Sequence, residues 1–93
     1  ISHQPPLNTH NDRLSSGQHV GSQAVRRYIE QHQPLICFTG HVHEGRGIDH
    51  IGATQVINPG PYWPRSDWGN GHYAYAELEQ GALRLLEIRP VPE

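Results

Sequence analysis

Eight histidines stand beside seven arginines in a chain of 93 residues that contains no lysine. Three of the histidines could do chemistry together. His41 and His43 flank Val42 and follow the apolar run Leu35-Ile36-Cys37-Phe38 through Thr39 and Gly40. On an extended backbone, side chains two residues apart point the same way. Neutral imidazole is the commonest side-chain metal ligand. A bare His-x-His pair carries little weight, because about 0.6 such pairs are expected by chance at this histidine content. The setting is more specific. A glycine precedes the pair, Glu44 follows it, and an apolar strand leads into it. Open α/β sheets keep their sites at the carboxyl ends of strands. The third histidine, His3, follows Ile1-Ser2, which reads as the end of a second strand, since Pro5 and Pro6 forbid its continuation.

Other elements must bring these residues together. Residues 7–20 are polar and read as a loop, long enough to be functional or mobile. Ser22 is placed to cap a helix. Val25, Tyr28 and Ile29, with Ala24, share one face of it, and Pro34 ends it by Gln33. The buried strand 35–38 follows. A strand-helix-strand unit with parallel strands puts both carboxyl ends on one edge of the sheet. His3 is then expected near His41 and His43. Three imidazoles would nearly complete a mononuclear site. A dinuclear site would also need a carboxylate bridging metals about 3.5–4 Å apart. Glu44 points away from His43 on an extended backbone and is read as a solvated or outer acid.

The second half is β-rich. Residues 48–51 and 54–57 read as a hairpin around Gly52-Ala53, and Asn58-Pro59-Gly60-Pro61 stops the second strand. Residues 62–71 form an irregular aromatic loop. Residues 72–79 and 82–88 read as two antiparallel strands joined by Gln80-Gly81. The fold class is therefore α/β, or α+β, with one main helix and mixed and antiparallel strands, in a single domain spanning 1–93.

Composition narrows the function classes. A net charge of −2 and a pI of about 6.5 argue against a nucleic-acid or anionic-membrane surface. No apolar run reaches about 18 residues, so no membrane span is expected, and residues 1–6 lack the features of a signal peptide. The single cysteine excludes an internal disulfide and fits a reducing, cytoplasmic setting. Cys37 is read as a packed thiol. His32 is assigned to the helix carboxyl end, where a cation favours the dipole. His10, His19, His50 and His72 are read as loop or solvent-facing residues, with His50 or His72 as candidates for a cleft wall. Tyr62, Trp63, Trp68 and Tyr73 are assigned to core or interface. Arg46 and Arg65 have the geometry to hold phosphate but are read as solvated.

Three of these motifs together resemble the calcineurin-like metallophosphoesterases, hydrolases of phosphate esters that use two metals. Gly40-His41-Val42-His43 looks like the family's last metal motif. Ser2-His3-Gln4-Pro5-Pro6 looks like the motif before it, and Asn58-Pro59-Gly60 resembles a turn found in many bacterial members. The resemblance covers essentially the whole chain. It implies part of an αββα sandwich. It also implies that His3 and His41 bind the second metal and His43 the first, with two divalent transition ions (Mn, Fe, Zn or Ni) in the complete protein. The family's earlier motifs, D-x-H, G-D-x-x-D/N and G-N-H-D/E, are missing. They carry the bridging carboxylate and the general acid, so no catalytic residue is assigned here. The chain is therefore expected to be the carboxyl-terminal portion of the domain and inactive alone. Its expected partners are a phosphate-ester substrate and the missing amino-terminal part, or a second copy in a homodimer or swapped oligomer. A non-catalytic protein-binding module on the same scaffold is the alternative. A structural zinc domain fits less well, because such sites favour four ligands rich in cysteine.

Overall fold

A computed structural model describes residues 1–60 and 72–91. Helix α1 spans Gln23–His32. The Ser22 hydroxyl accepts from the Val25 amide at 3.1 Å, which satisfies one of the free donors of its first turn. Gln33 stops the helix by turning left-handed at φ 44°, while its amide still donates to the Ile29 carbonyl at 2.8 Å. The Gln33 side chain donates to the same carbonyl and accepts from Ala53. The stop expected from Pro34 thus falls one residue ahead of it, and Gln33 ties the helix end to a later turn.

Three strands form the main sheet. They are β1 (Ile36–Phe38), β2 (Gly47–Ile51) and β3 (Thr54–Asn58). The order is β1-β3-β2. β2 and β3 make the expected antiparallel hairpin, with Ile51 opposite Thr54 and Gly47 opposite Asn58. β1 runs parallel to β3, with Cys37 opposite Val56. Residues 1–3 continue the sheet beyond β1. Ser2 bridges Thr39 in parallel, and its amide donates to the Phe38 carbonyl at 2.8 Å. In place of the first strand of the expected strand-helix-strand unit there is a single bridge at Ser2, parallel to the end of β1, and the fold is mixed α/β.

The core lies between α1 and the central strand. Ile29, Cys37, Ile51 and Val56 are buried together, with Val25 packed against them. β3 carries Thr54, Val56, Ile57 and Asn58 in the interior, as a strand flanked on both edges should. Leu35 departs from expectation. It is 40% exposed and precedes β1, whose burial centres on Cys37. An apolar groove of about 550 Å³ opens beside this core, lined by Val25, Tyr28, Ile29, Ile36 and Cys37 among others.

Strands β4 (His72–Glu79) and β5 (Ala82–Pro90) form a separate antiparallel pair with an irregularity between Glu77 and Leu78. That shift ends the alternation read from the sequence and leaves Leu78 exposed. The expected aromatic loop, with Tyr62, Trp63, Arg65 and Trp68, lies outside the described residues.

Residues 7–20 are an ordered loop. Thr9 and Asp12 are its anchors. The Asp12 carboxylate is fully buried. One oxygen accepts from the Thr9 amide (3.0 Å) and His19 Nδ1 (2.6 Å), the other from the Asn8 (2.9 Å) and Gly21 (3.0 Å) amides. Burial pushes the Asp12 carboxyl up, but the bonds from His19 and the backbone amides outweigh it and hold the group below its ordinary value. Beyond Asp12, Arg13 pairs with His19 and the chain turns back at Gly17. Charge-assisted bonds replace the apolar core such a loop lacks.

Candidate metal centre

The parallel pairing of residues 1–3 with the end of β1 sets two imidazoles side by side. The Gly40 amide donates to the His3 carbonyl at 3.2 Å. His41 Nδ1 then lies 3.0 Å from His3 Nε2, with the rings edge to face and their centroids 4.7 Å apart. Both rings are exposed.

The backbone does not simply run on as a strand. The Val42 amide donates to the Gly40 carbonyl at 2.7 Å, and His41 has φ 63°. Together these make a γ-turn centred on His41, an unusual and strained arrangement for a residue with a side chain. Such a conformation costs roughly 1–3 kcal/mol and persists only where its surroundings over-determine it. The turn cancels the extended geometry that would aim His41 and His43 the same way. His43 instead opens a tight helical turn, His43–Gly45. Among the described residues, no three His, Cys, Asp or Glu side chains converge on a common point. The structure thus joins His3 to His41, and it places His43 at the start of the next turn.

Val42 is held at both ends. Its side chain is buried. Its carbonyl accepts from the Gly45 amide at 3.0 Å and from Asn58 Nδ2 at 2.8 Å. Asn58 is itself buried, and its side-chain oxygen accepts from the Gly60 amide at 2.9 Å. Sequence reasoning saw only a strand stop and a family-like turn in Asn58-Pro59-Gly60.

The loop 7–20 closes over the same region. Asn11, fully buried, donates to the carbonyls of Gly45 (3.0 Å) and Gly47 (2.8 Å). A Cβ on Gly45 would overlap the Asn11 backbone, so only glycine allows this approach. The Glu44 carboxylate is exposed and accepts from the Ser15 amide, which lowers its pKa. Its exposure matches the expectation of a solvated acid. A polar cavity of about 380 Å³ lies between this turn and the loop, lined by His10, Arg13, Ser15 and Glu44 among others.

The remaining histidines have local work. His19 binds Asp12. His10 ties to β2 through its amide, which donates to Asp49 at 2.7 Å, while its Nε2 donates to the Arg46 carbonyl at 3.2 Å. His32 packs on Tyr28 at the helix end. His50 is exposed. His72 accepts from the Arg46 guanidinium at 3.1 Å, which links β4 to the segment after His43. Tyr73 is 41% exposed, so it does not cover the core. Burial pushes the Cys37 thiol up, as befits a packed residue.

Two imidazoles meet here, and a metal site among the described residues would need further donors. Two nitrogens each about 2.1 Å from one tetrahedral ion stand about 3.4 Å apart. The His3–His41 separation is 3.0 Å. One facing nitrogen carries the proton of this hydrogen bond, which a bound ion would displace. The pair would supply two donors of a four-coordinate shell.

The chain is 48% identical over 65 residues to an uncharacterized protein of Methanocaldococcus jannaschii, an alignment covering 66% of this chain and 30% of that protein. It is 34% identical over 59 residues to a UPF0046 protein of Caenorhabditis elegans, covering 62% of this chain and 15% of that one. The chain thus spans less than a third of the length of either relative. No solved structure matches it. A model of the metallophosphoesterases of the calcineurin superfamily matches residues 1–87. The chain belongs to that family.

Proposed function

We propose that this chain supplies the carboxyl-terminal metal ligands of a phosphoesterase that hydrolyses phosphate mono- or diesters. The contact between His3 and His41 is the observation that carries this reading. These two residues would hold one divalent ion, and His43 would serve a second. Bound metals would polarise the phosphoryl oxygen and supply a hydroxide at neutral pH. The chain's own residues present the ligands and fix the backbone behind them. They offer no group matching the family's bridging carboxylate or general acid, so the chain alone should be inactive.

The completing partner is the amino-terminal part of the same domain. The apolar groove beside α1 and the exposed Ile1, Tyr28 and Leu35 support packing on that face. The single buried thiol is in keeping with the cytoplasm. No helix among the described residues is long and apolar enough to cross a membrane.

Calorimetry with Mn²⁺ or Zn²⁺, above the imidazole pKa of about 6.5, tests this reading. The chain should bind weakly, and His41→Ala should abolish the binding. Joined to the upstream half of the domain, it should bind tightly and hydrolyse a generic phosphodiester, with His43→Ala impairing both. Metal binding that ignores both substitutions in the completed protein would leave a protein-binding module as the better reading.

A further inference from the structure

We infer that Asn58 is a positioning residue for the metal ligands, acting through the carbonyl of Val42. This rests on the reading of His41 and His43 as ligands and adds a residue that touches neither the metal nor the substrate.

The argument starts from the strain at His41. A residue with a side chain returns to negative φ unless it is held, and the γ-turn here carries φ 63°. The hold must act on Val42, because Val42 closes the turn. Three hydrogen bonds do so. The Val42 amide donates back to Gly40, and the Val42 carbonyl accepts from Gly45 and Asn58. The first two come from within the ligand segment and would move with it. Among the described residues, only the bond from Asn58 comes from outside, at the end of the central strand β3.

That anchor is rigid. Asn58 ends a strand paired on both edges, opposite Gly47 in β2, and Phe38 of β1 lies opposite the neighbouring Ile57. Its side chain is 1% exposed, so water does not compete for the bond. The Gly60 amide fixes which way the amide faces, since only the oxygen can accept from it. The nitrogen is thereby aimed at Val42. Asparagine alone fits these demands at this size: aspartate could accept from Gly60 but could not donate, and alanine could do neither.

Releasing the Val42 carbonyl lets the turn relax and moves the His41 ring away from His3. Groups that orient metal ligands typically cost 10–100-fold in metal affinity when removed. The coupling is reciprocal, so a bound ion must also tighten the bond from Asn58.

The test is Zn²⁺ calorimetry at pH 7.5 on the 93-residue chain, with His41→Ala, Asn58→Ala and Asn58→Asp, each checked for folding by circular dichroism. Both Asn58 variants should stay folded and bind Zn²⁺ 10–100-fold more weakly, and His41→Ala should lose binding altogether. Folded Asn58 variants that bind like the parent, beside a His41→Ala that does not, would overturn the clamp and leave the metal reading intact. Unchanged binding by His41→Ala would overturn the metal reading itself. Should the Asn58 variants unfold, exchange of the Asn58 side-chain amide protons in the unmutated chain decides. Their exchange should slow when Zn²⁺ is added, and indifference to Zn²⁺ would refute the coupling.

Discussion

Replacing Asp12 with asparagine should cost this chain much of its stability, although the two side chains have the same shape. The carboxylate accepts four hydrogen bonds and is fully buried. In Asp12→Asn, one oxygen becomes a donor that faces other donors. At least one backbone N–H is left unpaired, at about 1–3 kcal/mol, and the surviving bonds lose about 1 kcal/mol each with the charge. The total is about 3–5 kcal/mol, in line with breaking a buried charged network. A chain of 93 residues has roughly 5–14 kcal/mol in all. Urea unfolding is the assay. At an m-value of about 1.5 kcal/mol per M, the midpoint should fall by roughly 2–3 M. The pH dependence gives a second check. The Asp12 pKa is depressed in the folded chain, so its contribution is fully present above the ordinary value of 3.8. It is lost as pH falls through the lower folded value. The gap between parent and Asp12→Asn should therefore be constant near neutrality and shrink below pH 3.8. A loss under about 1 kcal/mol, or a gap that persists in acid, would refute the account of Asp12 as the loop's anchor.

Gly45→Ala should destabilise by about 1–3 kcal/mol, since its Cβ meets the Asn11 backbone and not a yielding side chain. A thermal melt should register this as a fall of about 4–8 °C per kcal/mol, and an unchanged Tm would argue against the close approach. Cys37 should resist alkylation by iodoacetamide at pH 8 in the folded chain and react readily in urea, because burial keeps it a thiol. Equal rates in the two conditions would mean that β1 is not closed over it.

Much of the architecture was legible, because it is written in residues that act locally. Ser22 and Pro34 bracket α1, Gly52 marks the hairpin, and Gly40-His41-Val42-His43 marks the site. The family resemblance rests on the same letters. What escaped was set by partners distant in sequence. Asp12 looks like any loop acid, since its donors are mostly backbone amides, which every residue type supplies. Thr9-x-x-Asp12 has the spacing of a capping box. The Asp12 carboxylate accepts from the Thr9 amide, and the Thr9 hydroxyl donates to the Pro6 carbonyl. Asn58 reads as a strand stop until β3 is placed beside the turn that it holds. The expectation that His41 and His43 point the same way met a different backbone. The rule that alternate residues share a face assumes an extended backbone, and His41 does not have one.

That left-handed turn also bears on how this domain could be made more robust. Glycine would adopt the His41 backbone without steric cost, so relief of the strain at this turn is the substitution that deletes an imidazole. Fold durability and ligand presentation are opposed at a single residue. Engineering for thermal tolerance that is blind to metal would find His41 an attractive target, and on the proposed reading would return a sturdier protein with half its donor pair gone.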